Sequence, residues 1–362
     1  MNISFFGSSL VSAYWNGSCT YYRGLLKELA RLGHRITFYE PDAYDRQKHR
    51  DIADPEWAKV VVYPATQDGW RRALEQGAAG ADLLAKASGV GVFDAELEAA
   101  LPHASSRAIR VYWDVDAPAT LDAMAHDPGH VLHAALPDYD MVLTYGGGDP
   151  VVEGYERVGA RLCVPIYNAL DPETHHPAAP NREFECRLSF LGNRLPDREA
   201  RVEEFFLKAA ALSPRHAFLL GGSGWESKAM PHNVRHIGHV GTGTHNAFFC
   251  SGLATLNVNR DSMARYGFSP PTRVFEAAGC AACLITDQWV GIEQFLEPET
   301  EVFVAANGAQ VADILDALSE ERARKMGLAA RERILAHHTY AHRAQQVNQL
   351  LEGVTTVQEA AE

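Results

Sequence analysis

Short apolar runs alternate with amphipathic segments along the whole chain. The first run, residues 3–6, precedes a polar loop and four apolar residues whose spacing places them on one helix face: Tyr22, Leu25, Leu26 and Leu29. Gly33 is expected to end that helix, because glycine is the usual residue just beyond a helix terminus. Further strand-like runs follow at residues 36–39, 60–63, 109–113 and 141–144. This alternation predicts βαβ units and a mainly parallel sheet.

A polar segment with three prolines, residues 168–181, separates this series from a second one. The second series has strand-like runs at residues 188–191, 217–220, 234–240, 254–258 and 284–286. Helical patterns then extend to about residue 351, and a polar tail is expected at residues 354–362. We therefore predict four segments: an N-terminal domain at 1–168, a linker at 169–184, a C-terminal domain at 185–340, and a helix with a polar tail at 341–362.

Charge and composition narrow the classes of function. The 362 residues include 33 Lys and Arg against 46 Asp and Glu, a net charge of −13, which opposes extended nucleic-acid binding. The chain begins without a basic leader, and its apolar runs are too short for a membrane span. Six scattered cysteines are typical of reduced, buried thiols. We therefore expect a cytoplasmic protein with no membrane span.

A Cys-x-x-Cys pair and a group of three histidines are candidate metal sites. Cys280 and Cys283 form a Cys-x-x-Cys pair, yet a second close pair is absent from the sequence. His232, His236 and His239 lack a thiol or carboxylate at useful spacing. The sequence therefore predicts packing roles, and no metal site, for both groups; no resident cofactor is expected.

Ligands of open α/β sheets gather beyond the carboxyl ends of strands, so the polar residues there are the candidates for function. Ser269 is expected to cap a helix that carries Arg273 and Glu276 three residues apart. A helix start with a nearby arginine suits a phosphate, and the carboxylate one turn later suits the hydroxyls of a ribose. An exposed Arg–Glu pair on a capped helix is the open alternative.

Two other strand ends in the second half carry similar signals. Gly192 and Arg194 follow one strand, and Arg198 lies in the next predicted helix, so that two arginines are available to neutralise a diphosphate. Gly222 belongs to a glycine-rich loop that can wall a nucleobase, although it matches no phosphate-binding motif. Ordinary exposed charges at a helix start are the alternative for the arginines.

In the first half, Asp114 and Asp116 follow an apolar strand. Two acids at positions i and i+2 of an extended chain share a face, which suits proton transfer or the binding of sugar hydroxyls. An aspartate before Ala-Pro is also a common turn or cap residue, and this reading stays open.

Several motifs in order resemble the CgeB-like, or spore-maturation-type, glycosyltransferases of group 1. They are Trp-Asp-Val-Asp-Ala-Pro at 113–118, Tyr-Asp-Met-Val-Leu-Thr-Tyr-Gly-Gly-Gly at 139–148, Val-Pro-Ile-Tyr-Asn-Ala-Leu-Asp-Pro-Glu-Thr-His at 164–175, Leu-Asn-Val-Asn-Arg at 256–260, Ser-Pro-Pro-Thr-Arg-Val-Phe-Glu-Ala-Ala-Gly at 269–279, and Gly-Ile-Glu-Gln-Phe-Leu at 291–296. The resemblance extends from residue 3 to about residue 343. It implies a GT-B fold, with two Rossmann-like domains facing across a cleft and a nucleotide sugar held mainly by the second domain. The resemblance does not fix the donor or the acceptor. Our expectation is metal-independent transfer from a UDP- or dTDP-sugar to a small-molecule or glycan acceptor.

The resemblance also assigns roles to residues. It implies nucleotide contacts for Arg273 and Glu276, a phosphate contact for Arg194, and a cleft position for Asp114 and Asp116. If the transfer inverts configuration, a general base is required and Asp116 is the first candidate. If it retains configuration, the leaving phosphate itself takes the acceptor proton. This sequence departs from the Glu-x7-Glu pattern of many related retaining enzymes, because Phe268 stands at the first glutamate position. Asp261, Glu293 or the backbone at 267–269 would then contact the sugar. A nucleotide-sugar epimerase and a non-catalytic nucleotide-sugar-binding protein remain as alternative functions.

Overall fold

The structure, a computed structural model, divides the chain into two compact units. It describes the backbone of residues 1–361 and the side chains of residues 1–353. One unit combines residues 1–167 with residues 340–362, and the other contains residues 168–339. This division differs from the predicted one at two places: the proline-rich segment at 169–184 belongs to the second unit, and the C-terminal helix belongs to the first.

The first unit is built on a parallel sheet. Seven strands are hydrogen-bonded in the order β3-β2-β1-β4-β5-β6-β7. Their bounds are β1 Asn2–Phe6, β2 Arg35–Asp42, β3 Ala58–Pro64, β4 Leu83–Ala87, β5 Ile109–Asp114, β6 Met141–Thr144 and β7 Cys163–Pro165. The helices between them are α1 Cys19–Arg31, α2 Gln67–Ala78, α3 Asp94–Ala100, α4 Ala117–His126, α5 Leu132–Ala135 and α6 Gly148–Arg157.

The second unit repeats this architecture with six parallel strands in the order β10-β9-β8-β11-β12-β13. These strands are β8 Cys186–Leu191, β9 Phe218–Gly221, β10 Val234–His236, β11 Gly252–Asn257, β12 Leu284–Asp287 and β13 Phe303–Ala305. Its helices are α7 Pro196–Val202, α8 Lys208–Leu212, α9 His245–Ser251, α10 Asp261–Tyr266, α11 Thr272–Gly279, α12 Gly308–Ala317 and α13 Glu320–His337. A π-helical segment, Glu203–Leu207, joins α7 to α8.

The last helix, α14 Tyr340–Ala361, returns to the first unit and packs on α1. Gly24 of α1 makes the close approach possible, because a Cβ there would lie 2.0 Å from Cδ2 of Tyr340. His34 Nε2 and Asn348 Oδ1 lie 3.0 Å apart in the same packing. The polar tail expected at 354–362 falls where side chains lie outside the described residues. Among the described helices, none is long and apolar enough to cross a membrane.

The structure confirms the predicted alternation of strands and helices and adds three strands. The pattern missed β4 because Lys86 interrupts its apolar run, and it missed β7 and β13 because each has only three residues. β10 ends at His236, earlier than predicted, and Gly238 follows with a left-handed φ of 70°. Gly33 does end α1, with a φ of 95°.

Candidate functional site

The carboxyl ends of β8 and β9 meet in a tight backbone contact in the second unit. Gly192 N donates to the carbonyl of Gly221 at 2.9 Å. Gly222 adopts a φ of 124°, and a Cβ there would lie 2.2 Å from the carbonyl oxygen of Gly192. Both the backbone angle and the space therefore require glycine at position 222. Whether this loop walls a nucleobase stays a prediction.

Arg273 extends from α11 toward this loop and is almost fully buried. Its Nε donates to the carbonyl of Leu191 at 2.6 Å, and Nη1 donates to Oδ1 of Asn257 at 2.7 Å. Its guanidinium also lies 4.9 Å from the ring centroid of Phe190. These contacts fix the arginine at the end of β8, with Nη2 directed at Gly192.

A second guanidinium shares that space. A Cβ on Gly192 would lie 3.0 Å from Nη2 of Arg273 and 3.1 Å from Nη1 of Arg198, so the missing side chain leaves room where two cations converge. Burial first, and then the charge of Arg198, lower the pKa of Arg273 to about 9. Like charges held together in a buried place stabilise a bound anion and are stabilised by it. The pair Arg198 and Arg273 is therefore a candidate diphosphate site, which we call the arginine pair.

Arg194, for which the sequence predicts a phosphate contact, lies in an ion-pair network with Glu199. Its Nε and Nη2 make a bidentate contact with Glu199 at 2.8 and 2.7 Å, and Lys228 contacts the same carboxylate at 2.9 Å. These cations lower the pKa of Glu199 to about 2. The phosphate role of Arg194 stays a prediction, and the structure places Arg198 beside Arg273.

Polar residues at the ends of β11 and β12 support the arginine pair. Asn257, which accepts from Arg273, donates through Nδ2 to Thr286 Oγ1 and Asn259 Oδ1, both at 3.0 Å. Fully buried Asp287 accepts from the Asn259 backbone at 3.0 Å and from Arg201 Nη2 at 2.6 Å. Asn257 and Asp287 are the last residues of β11 and β12. Asn257 and Asn259 lie in the motif at 256–260, but the sequence assigned no role to them.

Helix α11 begins at Thr272, so the prediction that Ser269 caps it was wrong. Ser269 is fully buried, and its hydroxyl donates to the carbonyl of Gly267 at 2.8 Å. The reason is the Pro270–Pro271 pair: a residue that precedes proline is disfavoured in the helical region, which excludes both Ser269 and Pro270 from the helix. A ligand contact by Ser269 remains a prediction.

The turn before α11 carries a strained residue. Phe268, at the position of the missing glutamate, has a φ of 46°, which is uncommon for a bulky side chain. Its backbone N donates to the carbonyl of Val290 at 2.7 Å, and its ring fills the space that a Cβ on Gly291 would need. Surrounding structure therefore imposes this conformation, as is common at ligand sites.

Glu276, one turn into α11, is buried beside two histidines. Ligand atoms of Glu276, His175 and His245 all lie within 4.8 Å of one another. His175 Nε2 and His245 Nδ1 are 3.5 Å apart. The sequence did not predict this cluster, because its members are far apart along the chain.

The two cysteines of the Cys-x-x-Cys pair have different surroundings. Cys280 Sγ contacts Asn246 Oδ1 at 3.3 Å, and Cys283 Sγ contacts Met326 Sδ at 3.8 Å in the core. Burial raises the pKa of the Cys283 thiol to about 12. Cys283 therefore has a packing role, in keeping with the sequence prediction.

In the first unit, the side chains of Asp114 and Asp116 have different surroundings. Asp114 is fully buried at the end of β5, where it accepts from the hydroxyl of Tyr155 and, at 2.8 Å, from the backbone N of Asp116. Asp116 is half-buried and precedes α4, where its carbonyl accepts from Ala119 N at 2.8 Å and Thr120 N at 3.0 Å. Asp114 therefore has a clear structural role, and the catalytic role of both acids stays a prediction.

Comparison with known sequences gives one family match. A family described as glycosyl transferase-like matches residues 198–349, a range that includes Arg198, Arg273 and Glu276. No curated protein matches the chain. The CgeB-like subfamily stays a prediction.

Solved structures match nearly the whole chain. Sucrose-phosphate synthase from Thermosynechococcus elongatus has a TM-score of 0.73 at 14% identity, covering 99% of this chain and 100% of that one. HepE (Alr3699) from Anabaena, in complex with UDP and glucose, has a TM-score of 0.68 at 14% identity, covering 98% and 100%. The T4 phage enzyme BGT, in complex with its UDP-glucose substrate, has a TM-score of 0.61 at 12% identity, covering 97% and 99%. The chain thus has the GT-B fold, with two parallel-sheet Rossmann-like domains.

Proposed function

We propose that this protein is a glycosyltransferase that moves a sugar from a nucleoside diphosphate sugar to an acceptor. The observation that carries the proposal is the arginine pair: two guanidinium groups converge over Gly192, which has no side chain to occupy the space. The matched family includes this region, and two of the similar structures hold UDP or UDP-glucose. A UDP- or dTDP-sugar is the proposed donor, and a small molecule or glycan the acceptor.

The proposed chemistry follows from charge. The departing nucleoside diphosphate gains negative charge in the transition state, and donors already in place around it stabilise that charge most effectively. Arg198 and Arg273 would supply them, so that no metal is needed at the diphosphate. Glu276 would accept hydrogen bonds from ribose hydroxyls, and Asp116 would take the acceptor proton if the transfer inverts configuration.

The finer assignments are also proposals. Membership of the CgeB-like subfamily is supported by the motifs around Arg273 and Glu276. A cytoplasmic location is supported by the cysteines, all six of which are free thiols.

The direct test is a thermal-shift and calorimetric screen of nucleotides, followed by assays with the best donor. A nucleoside diphosphate that binds the native state should raise the melting temperature, and the matching nucleoside monophosphate should raise it less because one phosphate is missing. Donor incubated alone separates the alternatives: an isomerised sugar would indicate an epimerase. Failure of every diphosphate to bind would contradict the proposal.

A further inference from the structure

The cluster of His175, His245 and Glu276, which we call the histidine–glutamate cluster, joins three separate segments of the second unit. His175 ends a turn in which its backbone N donates to the carbonyl of Asp171 at 3.0 Å. His245 begins α9, and Glu276 lies in the middle of α11. His175 is 5% exposed and Glu276 is 6% exposed. Buried polar groups normally have at least one hydrogen-bond partner.

The hydrogen bonds of His175 decide which ring nitrogen carries the proton. Its Nδ1 lies 3.0 Å from Oγ1 of Thr174, and the same hydroxyl donates to the carbonyl of Asp171 at 3.1 Å. A threonine hydroxyl has a single proton, so Oγ1 can only accept from Nδ1–H of His175. In the neutral ring, Nε2 of His175 is then a bare lone pair.

The same reasoning applies to His245. Its Nε2 lies 3.3 Å from the carbonyl of Val240, which can only accept, so the proton of the ring is on Nε2. In the neutral ring, Nδ1 of His245 then carries no proton. Its Nδ1 is therefore also a bare lone pair, and it faces Nε2 of His175 at 3.5 Å.

Three acceptors thus converge: two imidazole nitrogens and a carboxylate, all within 4.8 Å of one another. Acceptors held together in a buried place are stabilised by a cation between them. Each ring also donates its other N–H to an oxygen, Thr174 Oγ1 or the Val240 carbonyl, which is the outer-shell arrangement usual for metal-binding histidines.

We propose that His175, His245 and Glu276 bind a divalent transition-metal ion, with Zn²⁺ as the fitting ion. Two histidines and one carboxylate are a common Zn²⁺ ligand set that leaves a position for water or a ligand oxygen. The sequence predicted no metal, because the two histidines lie 70 residues apart. The inference shares Glu276 with the proposed function, in which this carboxylate accepts hydrogen bonds from ribose hydroxyls. It does not rest on that function, because the three acceptors converge whatever the protein binds.

The test uses the full chain, stripped with a chelator and titrated with Zn²⁺ by calorimetry. One Zn²⁺ per chain is expected, and binding should be lost in His175→Gln and His245→Gln. Thr174→Val keeps all three ligands but removes the outer-shell oxygen, and it should weaken binding by about 10- to 100-fold. His216→Gln is the matched control, because this histidine contacts Asp316 in the same unit but lies outside the cluster. The double variant Cys250→Ser/Cys280→Ser should also bind Zn²⁺ as wild type does, because neither thiol belongs to the cluster.

Unchanged Zn²⁺ binding in both histidine variants would overturn the proposal, as would failure of the folded wild type to bind. If a histidine variant unfolds, Co²⁺ added to the wild-type protein provides the test. Visible d–d absorption without thiolate charge-transfer bands is expected. The absence of d–d absorption would contradict the site. UDP affinity, measured with and without chelator, separates this outcome from the proposed function. UDP binding without Zn²⁺ binding would overturn only the metal site.

Discussion

Both sheets are parallel, but the charged residues at their carboxyl edges are arranged differently. At the first edge the buried ions Lys86 and Glu40 have partners of opposite sign or suitable polarity. Lys86 contacts Asp94 at 2.5 Å and Glu98 at 2.6 Å, and Glu40 accepts from Ser9 Oγ at 3.0 Å and Leu10 N at 2.6 Å. At the second edge Arg198 and Arg273 bring like charges together at Gly192.

The difference concerns the proposal that the arginine pair binds a diphosphate. Compensated ions at the first edge hold loops in place, because removing either partner leaves a buried charge. Concentrated positive charge at the second edge costs stability in the free protein and is relieved by an anion. The ions at the first edge thus stabilise the fold, whereas the arginine pair at the second edge is the site that we propose for a diphosphate.

Asp116→Asn is expected to have the largest effect, and it tests whether the first edge also contributes chemistry. If Asp116 is the general base, turnover should fall by about 10²- to 10⁴-fold, while donor affinity stays nearly unchanged. Steady-state kinetics and calorimetry measure the two quantities. Asp114→Asn is the matched control, expected to lower the melting temperature because it weakens the contact with Tyr155. Wild-type turnover in Asp116→Asn would exclude this role.

Lys86→Met tests the structural role of the first edge. Removal of a fully buried cation leaves Asp94 and Glu98 without it, and the free energy of unfolding should fall by about 3 to 5 kcal/mol. Urea denaturation measures this loss, and UDP affinity of the folded protein should stay the same. Lys48→Met removes an exposed ion pair with Asp45 and should change stability little. Equal free energies of unfolding for Lys86→Met and Lys48→Met would contradict the structural role of the first edge.

Arg198→Ala and Arg194→Ala distinguish the arginine pair from the neighbouring ion pair. Loss of a charge-assisted hydrogen bond to phosphate costs about 1.5 to 3 kcal/mol, which is roughly 10- to 150-fold in UDP affinity. Arg198→Ala should show this loss by calorimetry, and Arg194→Ala should bind UDP nearly as wild type because its guanidinium contacts Glu199. The reverse order of affinities would support a phosphate contact by Arg194 instead of Arg198.

The smallest effect concerns pH and the histidine–glutamate cluster. Burial lowers the pKa of His245 in the folded chain, so the unfolded chain, with a histidine pKa of about 6.5, binds the proton more readily. The contribution of the neutral ring to the free energy of unfolding should therefore be fully present above this pH and be lost as the pH falls. The charges of His175, His239 and Glu276 also shift the pKa of His245. In chelator, urea denaturation between pH 7 and pH 5 should show a steeper loss for wild type than for His245→Gln. Identical slopes would contradict the neutral ring.

Much of the fold could be predicted because its signals are local. The periodicity that placed α1 and the apolar runs of β1 and β6 reflects burial of one face or of a whole strand, and burial selects residue type position by position. Arg273 and Glu276 were found for a similar reason, since their spacing is that of one helix face. Short or interrupted strands such as β4 carry too little of this signal.

The remaining features depend on which strand ends lie side by side. The sequence by itself determined two parallel α/β series, their helices, and the residue types at the strand ends. Only the tertiary structure decided that Arg198 lies beside Arg273 while Arg194 contacts Glu199, and that His175 and His245 meet at Glu276. The physical reason is that these contacts join residues distant in the chain, and their geometry is set by strand order and close backbone packing, as at Gly192 and Gly222.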